Sequence, residues 1–453
     1  MIEGNQNKQI LLSESSKEEL VDEIFRLRDK IKELEEKLQE KNASNIFGKE
    51  RKERKKRWKK LGRPEGHRGC TRAKPEHIDE EVHQRLSECP QCKNHTLSEL
   101  PSQREEHIQE DIIPASVRAT KFIRHQYWCS HCKQKVSAGY APQEVPYGYL
   151  GPNILIEALL MKYRHGLSYG SMKAAFACFH GLKVTDSALA QALQRISRWL
   201  NVEEQQIVTA IRASPYVHMD ETGWKIAGTN HWLWTAVNRR LALYRIRRSR
   251  GRKVPQEILG QEYGGIVLSD FLSAYDRAGK RRQRCLVHLL RELHRCRQMD
   301  RSQEYYRYYK KLRRIIADAK RLDKQRLSLA VPVFFRRLRL LKERLFDFSC
   351  TAFTNKHWQR LSKRLLKYNQ ELLTFLEVPG LPSDNNHAER MIRPNVIFRN
   401  ISFQNMSAKG ARAHETSMSL LQTMRLQNRD PLAFFKRAYL AHRQGNPAPL
   451  LSF

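Results

Sequence analysis

The chain lacks the features that define membrane and secreted proteins. Among its 453 residues no apolar run approaches the roughly 20 that a membrane-spanning helix needs. The N-terminus is polar and then strongly charged, so no secretory signal peptide is expected. Nine cysteines, an odd number without dense regular spacing, argue against a secreted disulfide framework. These absences predict a soluble, cytoplasmic protein with no membrane partner.

Acidic residues are scarce relative to basic ones. The chain has 83 Lys and Arg against 48 Asp and Glu, a formal net charge of +35. Such a surface suits a polyphosphate partner, because each neutralised phosphate releases condensed counterions. We therefore expect a nucleic-acid partner and a nucleoid-associated location. The length predicts three or more structural units rather than one core.

A heptad-like pattern occupies residues 17–42. Its apolar residues alternate at spacings of four and three, which is the a/d seam of a coiled coil. They are Leu20, Ile24, Leu27, Ile31, Leu34 and Leu38. The pattern predicts self-association through this helix. The alternative is a single amphipathic helix that packs on its own protein.

A strongly basic segment follows at 49–63, with ten basic and two acidic residues. Such a block repels itself and is expected to order only against an anion. The Gly-Arg-Pro that follows, at 62–64, resembles an arm that enters a DNA minor groove. A solvated linker is the alternative interpretation.

Two Cys-x-x-Cys pairs are separated by 36 residues: Cys89 with Cys92, and Cys129 with Cys132. Two such pairs present four thiolates to one tetrahedral zinc ion. A redox pair is the alternative for one such motif, but it rarely explains two. The sequence therefore predicts a module with structural Zn²⁺, in which His131 is a bystander.

Residues 151–200 are predicted to be helical. Two amphipathic stretches flank a break at 180–183, and Thr185 or Asp186 is a suitable N-cap for the second. Two helices joined by a short glycine-containing turn fit a DNA-binding helix-turn-helix. Ordinary helical packing fits equally well.

From residue 213 the pattern changes to short β-rich runs. SPYVHMD, HWLWTAVN and ALYRIRRSR are predicted strands, and the turn AGTN separates the first two. A helical stretch near 255–259, the strand GGIVLSD and the apolar run RQRCLVH follow. Three strands, a helix and more strands is the order of a ribonuclease H-like fold. We therefore predict a multidomain α+β protein that contains such a domain.

Three acidic residues stand in distinctive settings within this region. Asp220 is predicted to end the first strand after the apolar run 215–219, and Asp270 ends the run 264–269. Glu389 lies in SDNNHAER, on a predicted helix. Carboxylates in these places can converge and hold divalent metals through oxygen ligands. Two metals about 4 Å apart would clamp the attacking and leaving oxygens of a phosphoryl displacement.

A basic helical insertion is predicted between the second and third acids, because Glu389 follows Asp270 by 119 residues. Residues 301–350 hold fifteen Lys and Arg and five Asp and Glu, with apolar residues at helical spacing. One basic face of this insertion suits duplex DNA. A wall of helices that only packs and faces solvent is the alternative.

Taken together, these segments resemble the DDE transposases of insertion-sequence family 66. At the acids the resemblance rests on DETGW at 220–224, SDFLSAYD at 269–276 and DNNHAERMIRP at 384–394. It covers nearly the whole chain, including the zipper-like helix, the Gly-Arg-Pro linker, the zinc region at 112–132 and SMSLLQTMRLQNRDPLAFF at 417–435. One departure is Phe271-Leu272, where the family commonly has Gly-Tyr.

The resemblance implies a role for each acid. Asp220, Asp270 and Glu389 are expected to ligate two Mg²⁺ (or Mn²⁺) ions, with Asp220 bridging them. The implied reaction is cleavage and strand transfer of insertion-sequence ends, in which a water and then a 3′-hydroxyl attack a phosphodiester. The implied partners are double-stranded DNA (terminal inverted repeats and target), further copies of the chain through the coiled coil, and possible accessory proteins of the element.

Neighbouring side chains have several candidate roles. Glu221 is expected on the opposite strand face from Asp220, and Asp384 is expected to cap the helix of Glu389. Asn385, Asn386, Arg390 and Arg393 are candidates for contacting phosphates. Cys285 and His288 form a Cys-x-x-His pair, either part of a second metal site with His294 or Cys296, or a satisfied buried pair.

Two other functions stay open from the sequence. One is a catalytically silent DNA-binding protein derived from a transposase, although all three acids persist in intact settings. The other is a metal-dependent DNA nuclease without strand transfer. The expected units are 1–45 (coiled coil), 46–75 (basic linker), 76–145 (zinc-binding module), 146–210 (helical DNA-binding region), 211–415 (ribonuclease H-like catalytic domain with an insertion at about 295–375) and 416–453 (helical tail).

Overall fold

The structure, a computed structural model, describes residues 116–445 without a break and a few residues nearer the N-terminus. Those few are 26–27, 29–30, 33–34, 77–79, 81–82, 86–87, 90–95, 98 and 108. The chain divides into two compact units, one of Met1–Gly48 with Val117–Phe453 and the other of Lys49–Ser116. The predicted coiled coil lies outside the described residues except for six helical positions between 26 and 34, and the basic segment lies wholly outside them.

The described part of the larger unit consists of β-strands and many α-helices. Its strands are β1 (Gln126–Cys129), β2 (Gln134–Ser137), β3 (Tyr216–Ile226), β4 (Thr229–Val237), β5 (Ala242–Arg247), β6 (Ile266–Ser269) and β7 (Arg281–Arg284). The helices before β7 are α1 (Pro152–Leu159, continued by a π-helical turn at Leu160–Arg164), α2 (Tyr169–His180), α3 (Asp186–Trp199), α4 (Asn201–Arg212) and α5 (Lys253–Leu259). Those after β7 are α6 (Leu286–Met299), α7 (Gln303–Lys324), α8 (Val331–Ser349), α9 (Lys356–Lys367), α10 (Thr374–Glu377), α11 (Asn386–Ser402), α12 (Ala408–Leu426) and α13 (Pro431–Gln444). This mixed composition confirms a multidomain α+β protein.

Five strands form one mixed sheet in the order β5-β4-β3-β6-β7. β3, β4 and β5 are antiparallel neighbours, whereas β6 runs parallel to both β3 and β7. The β3–β4 hairpin turns on Ala227 and Gly228, whose φ angles are +45° and +78°. Two positive φ angles define the tight turn whose twist matches a hairpin, and glycine adopts one of them without strain. The three predicted strands and their turn are confirmed.

Asp220 does not end β3, and this prediction was wrong. β3 continues to Ile226, because β4 pairs with it as far as Thr229 opposite Ile226. The polar run that follows the apolar residues is therefore strand, held by backbone pairing rather than by burial. Only the parallel pairing with β6 stops early, at His218 opposite Leu268.

A polar stripe of α12 covers β5, the edge strand. Three backbone N–H groups of β5 donate to side-chain oxygens of this helix: Ala242 to Thr423 at 3.0 Å, Tyr244 to Ser419 at 3.0 Å, and Ile246 to Glu415 at 2.6 Å. The donors recur every two residues along β5, and the acceptors recur every four residues along α12. Two strand residues rise about 6.8 Å and four helical residues about 6.0 Å, so each donor lies opposite an acceptor. The helix thereby satisfies donors that an open sheet edge would leave unpaired.

Two hydrophobic cores meet at β6. Val267 belongs to the first core, which packs the sheet against α1–α5 and α11–α13. Ile266 and Leu268 belong to the second core, which is formed with α6–α10. Side chains alternate along a strand, so a single short strand separates the two cores. Asp270 follows β6 directly and lies where they meet.

The predicted helices at 151–200 are confirmed as elements. The hydroxyl of Thr185 accepts from the N–H of Ala188 at 3.2 Å and caps α3, and Gly181 ends α2 with φ +63°. Whether this pair reads DNA stays a prediction. Across the described residues, none of the helices is long and apolar enough to cross a membrane.

Candidate active site

Asp220 and Asp270 lie side by side on neighbouring strands. The parallel register pairs His218 with Leu268. Asp220 follows two residues later within β3, and Asp270 follows two residues later, directly after the end of β6. Asp220 and Asp270 are both partly exposed, whereas the residues just before them, 217–219 and 266–269, are buried. The end of the β3–β6 pairing therefore presents two acids at one level of the sheet.

Glu389 lies in the first turn of α11, and Asn385 ties the start of that helix to β3. The Asn385 side chain donates to the backbone oxygen of Met219 at 2.7 Å, and its Oδ1 lies 3.0 Å from Nδ1 of His218. Its backbone N–H donates to Sγ of Cys285 at 3.2 Å. Asn385 is 1% exposed. This buried clamp fixes the helix of Glu389 beside the strand of Asp220.

The three acids are close enough to influence one another electrostatically. Burial is the largest of the causes that raise the pKa of Asp220 to about 8. Three nearby carboxylates add to the rise: Glu221, Asp270 and Glu389. A backbone N–H bond from Glu221, 3.0 Å from Asp220 Oδ1, acts in the opposite direction. Like charges close together disfavour ionisation of these carboxyl groups, so a bound cation would stabilise their ionised form.

Helix α6 brings compensating positive charge to Glu389. The guanidinium of Arg291 lies 3.4 and 3.5 Å from the two carboxylate oxygens of Glu389, and Nδ1 of His288 lies 3.7 Å from one of them. Burial lowers the pKa of His288, and the charges of Glu389 and Asp270 oppose that shift. His288 therefore faces both acids.

Cys285 and His288 of the Cys-x-x-His pair have different contacts. Cys285 is buried and accepts the Asn385 N–H, as the structural alternative predicts, and burial raises the pKa of its thiol. His288, in contrast, is directed toward the acids. Cys296, the suggested further ligand, is buried in the second core, where its Sγ lies 3.6 Å from the backbone oxygen of His357.

Glu221 lies on the opposite face of β3 from Asp220, as expected from strand alternation. It accepts from Arg250 at 2.7 and 3.1 Å and from the hydroxyl of Tyr275. Burial raises the pKa of Glu221, and these two hydrogen bonds lower it. Glu221 therefore supports the strand through these bonds, and its charge also raises the pKa of Asp220.

The donor chemistry of the cluster fits a hard divalent cation. Asp220, Asp270 and Glu389 supply carboxylate oxygens, which Mg²⁺ prefers, and partial exposure leaves room for water or phosphate as further ligands. Within the described part of the chain, no three His, Cys, Asp or Glu side chains are already spaced to hold an ion. Glu389 is instead engaged with Arg291, so metal binding would require exchange of that partner.

The structure describes three of the four predicted zinc-binding cysteines. Cys129 ends β1 and Cys132 lies in the turn of the β1–β2 hairpin in the larger unit, and Cys92 lies in a turn of the smaller unit. Cys89 lies outside the described residues. Hydrogen bonds from Cys132 lower the pKa of the partly exposed Cys129 thiol, which favours the thiolate that zinc requires.

Residues near Glu389 differ from the expectations for phosphate contacts. Asn385 is buried and fully used by the clamp, so its suggested contact with a phosphate was wrong. Arg390 and Arg393 are exposed, and Asp384 Oδ1 accepts the N–H of Asn386 at 3.1 Å, the predicted capping contact. Sequence reasoning missed Arg291, whose only signal was its place one helical turn after His288.

Two family models match the chain. The model described as "Transposase IS66 family" matches residues 147–413, more than half of the chain, and this range contains all three acids. The model described as "zinc-finger binding domain of transposase IS66" matches residues 87–133, which contain all four predicted zinc-binding cysteines. Both matches confirm the resemblance found from the sequence motifs, and the second supports structural zinc.

Relatives from Sinorhizobium fredii (strain NBRC 101917 / NGR234) carry no assigned activity. The uncharacterized protein y4qI is 24% identical over 377 residues, 75% of this chain and 68% of that protein. The uncharacterized protein y4jD is 23% identical over 360 residues, 72% and 69% of the two chains. The match to the uncharacterized protein y4hP, at 27% identity over 202 residues, spans 42% of this chain and only 36% of y4hP. On the extent of the family-model match, the chain belongs to the IS66 family of transposases.

Proposed function

We propose that this transposase cleaves and joins DNA strands by metal-dependent in-line attack on phosphodiesters, with Asp220, Asp270 and Glu389 as the catalytic acids. The observation that carries the proposal is their placement at one end of the β3–β6 pairing, next to the first turn of α11. The strand order, with three antiparallel strands followed by two parallel ones, supports a ribonuclease H-like catalytic domain.

The chain's own residues have distinct tasks in this mechanism. The Asn385 clamp holds Glu389 against β3, and Arg291 neutralises Glu389 until DNA and metal arrive. The exposed Arg390 and Arg393 lie on the same helix and can contact phosphate oxygens. Bound Mg²⁺ or Mn²⁺ would lower the pKa of the attacking hydroxyl and stabilise the leaving oxygen.

The remaining parts of the chain serve DNA binding and assembly in this proposal. The zinc module, the basic linker and the α2–α3 pair would bind double-stranded DNA at the element's terminal inverted repeats and at the target. The heptad segment would join copies of the chain. The high positive charge supports these roles, because phosphate contacts supply much of the affinity of DNA-binding proteins.

The proposal is tested by strand cleavage and joining on labelled DNA that carries the element's flanking inverted repeats, with Mg²⁺. Wild type is compared with Asp270→Asn, which keeps the side-chain shape and removes the charge. We expect joined products from wild type and a loss of at least about 1,000-fold in the variant, because metal clamping contributes several kcal/mol.

Other results would change the assignment. Cut but unjoined ends that disappear in the variant would indicate a nuclease without strand transfer. Tight DNA binding with no cutting by wild type, also after the element's accessory proteins are added, would indicate a catalytically silent DNA-binding protein. Equal activity of wild type and variant would remove Asp270 from the site.

A further inference from the structure

An aromatic and cationic ridge begins at the edge of the acid site and continues beyond it. It starts at Arg291 on α6, which contacts Glu389, and continues one turn later at His294. The His294 ring lies 6.4 Å from the ring of Tyr309 on α7. Tyr309 in turn stacks on Tyr306, with ring centroids 6.3 Å apart and planes inclined by 15°. The ridge therefore leads from the carboxylates to a pair of parallel rings.

The tyrosines on this part of α7 differ in how much of their surface the core covers. Tyr305 is buried against Trp358, and Tyr308 packs edge-on against Phe353, so both serve the second core. Tyr306 and Tyr309 lie on the adjacent side of the helix and keep part of their surface exposed. Tyr309 also packs against the second core, as Tyr308 does. Core packing alone thus leaves the stacked arrangement of Tyr306 unexplained.

Positive side chains surround both rings. Arg297 and Lys310 lie over Tyr306 at 5.0 and 4.4 Å, and Arg313 lies over Tyr309 at 5.4 Å. Aromatic rings with flanking cations are the arrangement that binds single-stranded nucleic acid, because bases stack on the rings while cations neutralise phosphates. Long arginine and lysine side chains can turn from a ring to a phosphate, since both partners are electrostatically favourable.

We propose that Tyr306 and Tyr309 stack on unpaired bases of the DNA strand next to the cleaved phosphodiester. The inference rests on the proposed function, because it takes the acids as the point of cleavage. From Arg291 to Arg297 the helix rises roughly 9 Å, which corresponds to about three nucleotides at the spacing of a stacked strand. The rings hold the end of that strand open, so its terminal bases leave the duplex before joining.

The test uses the full-length chain and a short duplex that ends in a single-stranded overhang with 2-aminopurine inside it. Mg²⁺ is omitted and no chelator is added, so binding is measured without cleavage and the zinc module keeps its metal. Wild type is expected to quench the 2-aminopurine fluorescence by stacking. Tyr306→Ala and Tyr309→Ala are each expected to lose the quenching and to bind the overhang about tenfold more weakly. Tyr306→Phe and Tyr309→Phe keep a ring and should retain both properties.

Three controls keep loss of stacking separate from loss of fold or charge. Tyr149→Ala removes a fully exposed tyrosine outside the ridge and should bind as wild type does. Tyr309→Leu preserves packing against the second core but cannot stack, so it should behave as Tyr309→Ala does. A blunt duplex of the same sequence should bind equally to all variants.

The inference is overturned if the alanine variants quench and bind as wild type does, if the phenylalanine variants lose as much as the alanine ones, or if blunt-duplex affinity falls in parallel. That last result would place duplex DNA, not a single strand, on the ridge. Strand joining by wild type in Mg²⁺ is measured alongside. If wild type joins strands but the alanine variants quench and bind as wild type does, only the stacking role is wrong. If wild type quenches the fluorescence but cleaves no DNA in Mg²⁺, only the proposed reaction is wrong.

Discussion

The two cores on either side of β6 are stabilised in different ways. Around the first core, charged groups are buried and linked by directional bonds: Glu204 is fully buried and accepts from Arg245 at 2.5 Å, from Thr416 at 3.0 Å and from Arg412. Beside the second core, the buried guanidinium of Arg284 donates to Glu371 and Asp276 at 2.7 Å. The second core itself is packed with aromatic rings, with the Trp358 ring 5.3 Å from Tyr305 and 5.4 Å from Phe353.

This difference matches what each side contributes to the acid cluster. Asp220 and Glu389 are carried by elements of the first core, where directional bonds fix their positions, and Asp270 follows β6, which both cores share. Helix α6, which brings His288 and Arg291, belongs to the second core. A misplacement of about 1 Å can cost about 100-fold in rate, so the reacting carboxylates need the stiffer support. The cations tolerate a softer one, because arginine is long and charge attraction varies slowly with distance.

The largest effect is expected from Glu204→Ala, which breaks the directional network. The change leaves Arg245 buried without its carboxylate, and removal of one partner from a buried ion pair costs about 3–5 kcal/mol. The free energy of unfolding is measured by urea titration. A loss below about 1 kcal/mol would mean that the network adds little and that the two cores do not differ in this way.

Glu203→Gln, at the neighbouring buried carboxyl group, is the matched control and is expected to raise the free energy of unfolding rather than lower it. Burial raises the pKa of Glu203 to about 6, above its unfolded value of 4.5, so the folded state binds more protons between these values. Stability therefore falls as pH rises from about 4.5 to 6. The variant should lack this fall and be more stable at neutral pH by about 1–2 kcal/mol.

An effect on the rate of strand cleavage is expected from Asn385→Ala. Without the bonds to Met219 and His218, the start of α11 can move away from β3 and carry Glu389 with it. Strand cleavage should slow by about 100-fold, while affinity for the same DNA stays unchanged. Asn400→Ala, an exposed change on the same helix, should leave both unaltered. A parallel loss of affinity would show that the variant disturbs more than Glu389.

Trp358→Phe tests the second core and should cost only about 1 kcal/mol. A ring is retained, and the indole N–H of Trp358, which has no acceptor among the described residues, is removed. Loss of that buried donor offsets part of the lost packing. Calorimetric unfolding gives the change. A cost above about 3 kcal/mol would show that this core also depends on close individual fit.

The smallest effect is expected from Arg291→Gln, where α6 of the second core contacts Glu389. Arg291 is one-third exposed and pairs with Glu389, so its attraction is screened by solvent. Its removal frees Glu389 for metal and should tighten Mn²⁺ binding by about threefold, measured by electron paramagnetic resonance. Arg295→Gln removes the same charge from an exposed site on α6 and serves as the reference. Weaker binding in Arg291→Gln alone would mean that the arginine positions Glu389 for the ion.

Local signals in the sequence predicted much of the fold. The apolar runs gave β3, β4, β5 and β6, and the Ala227-Gly228 turn and the Thr185 cap are short-range features that act within four residues. The end of β3 was missed, because its second half is polar and is strand only through pairing with β4. The role of Asn385 was missed for a similar reason, since polar residues before a helix usually indicate exposure.

The sequence by itself determined the order of strands and acids, the excess of positive charge, the paired cysteines and the family of the chain. Tertiary structure alone decided which groups meet: Asn385 with His218 across 167 residues, Arg291 with Glu389 across 98, and the stripe of α12 with β5 across 169 to 181. Local patterns report burial and backbone preference within a few residues. A hydrogen bond between distant segments depends on the register and packing of whole elements, which no short window of sequence contains.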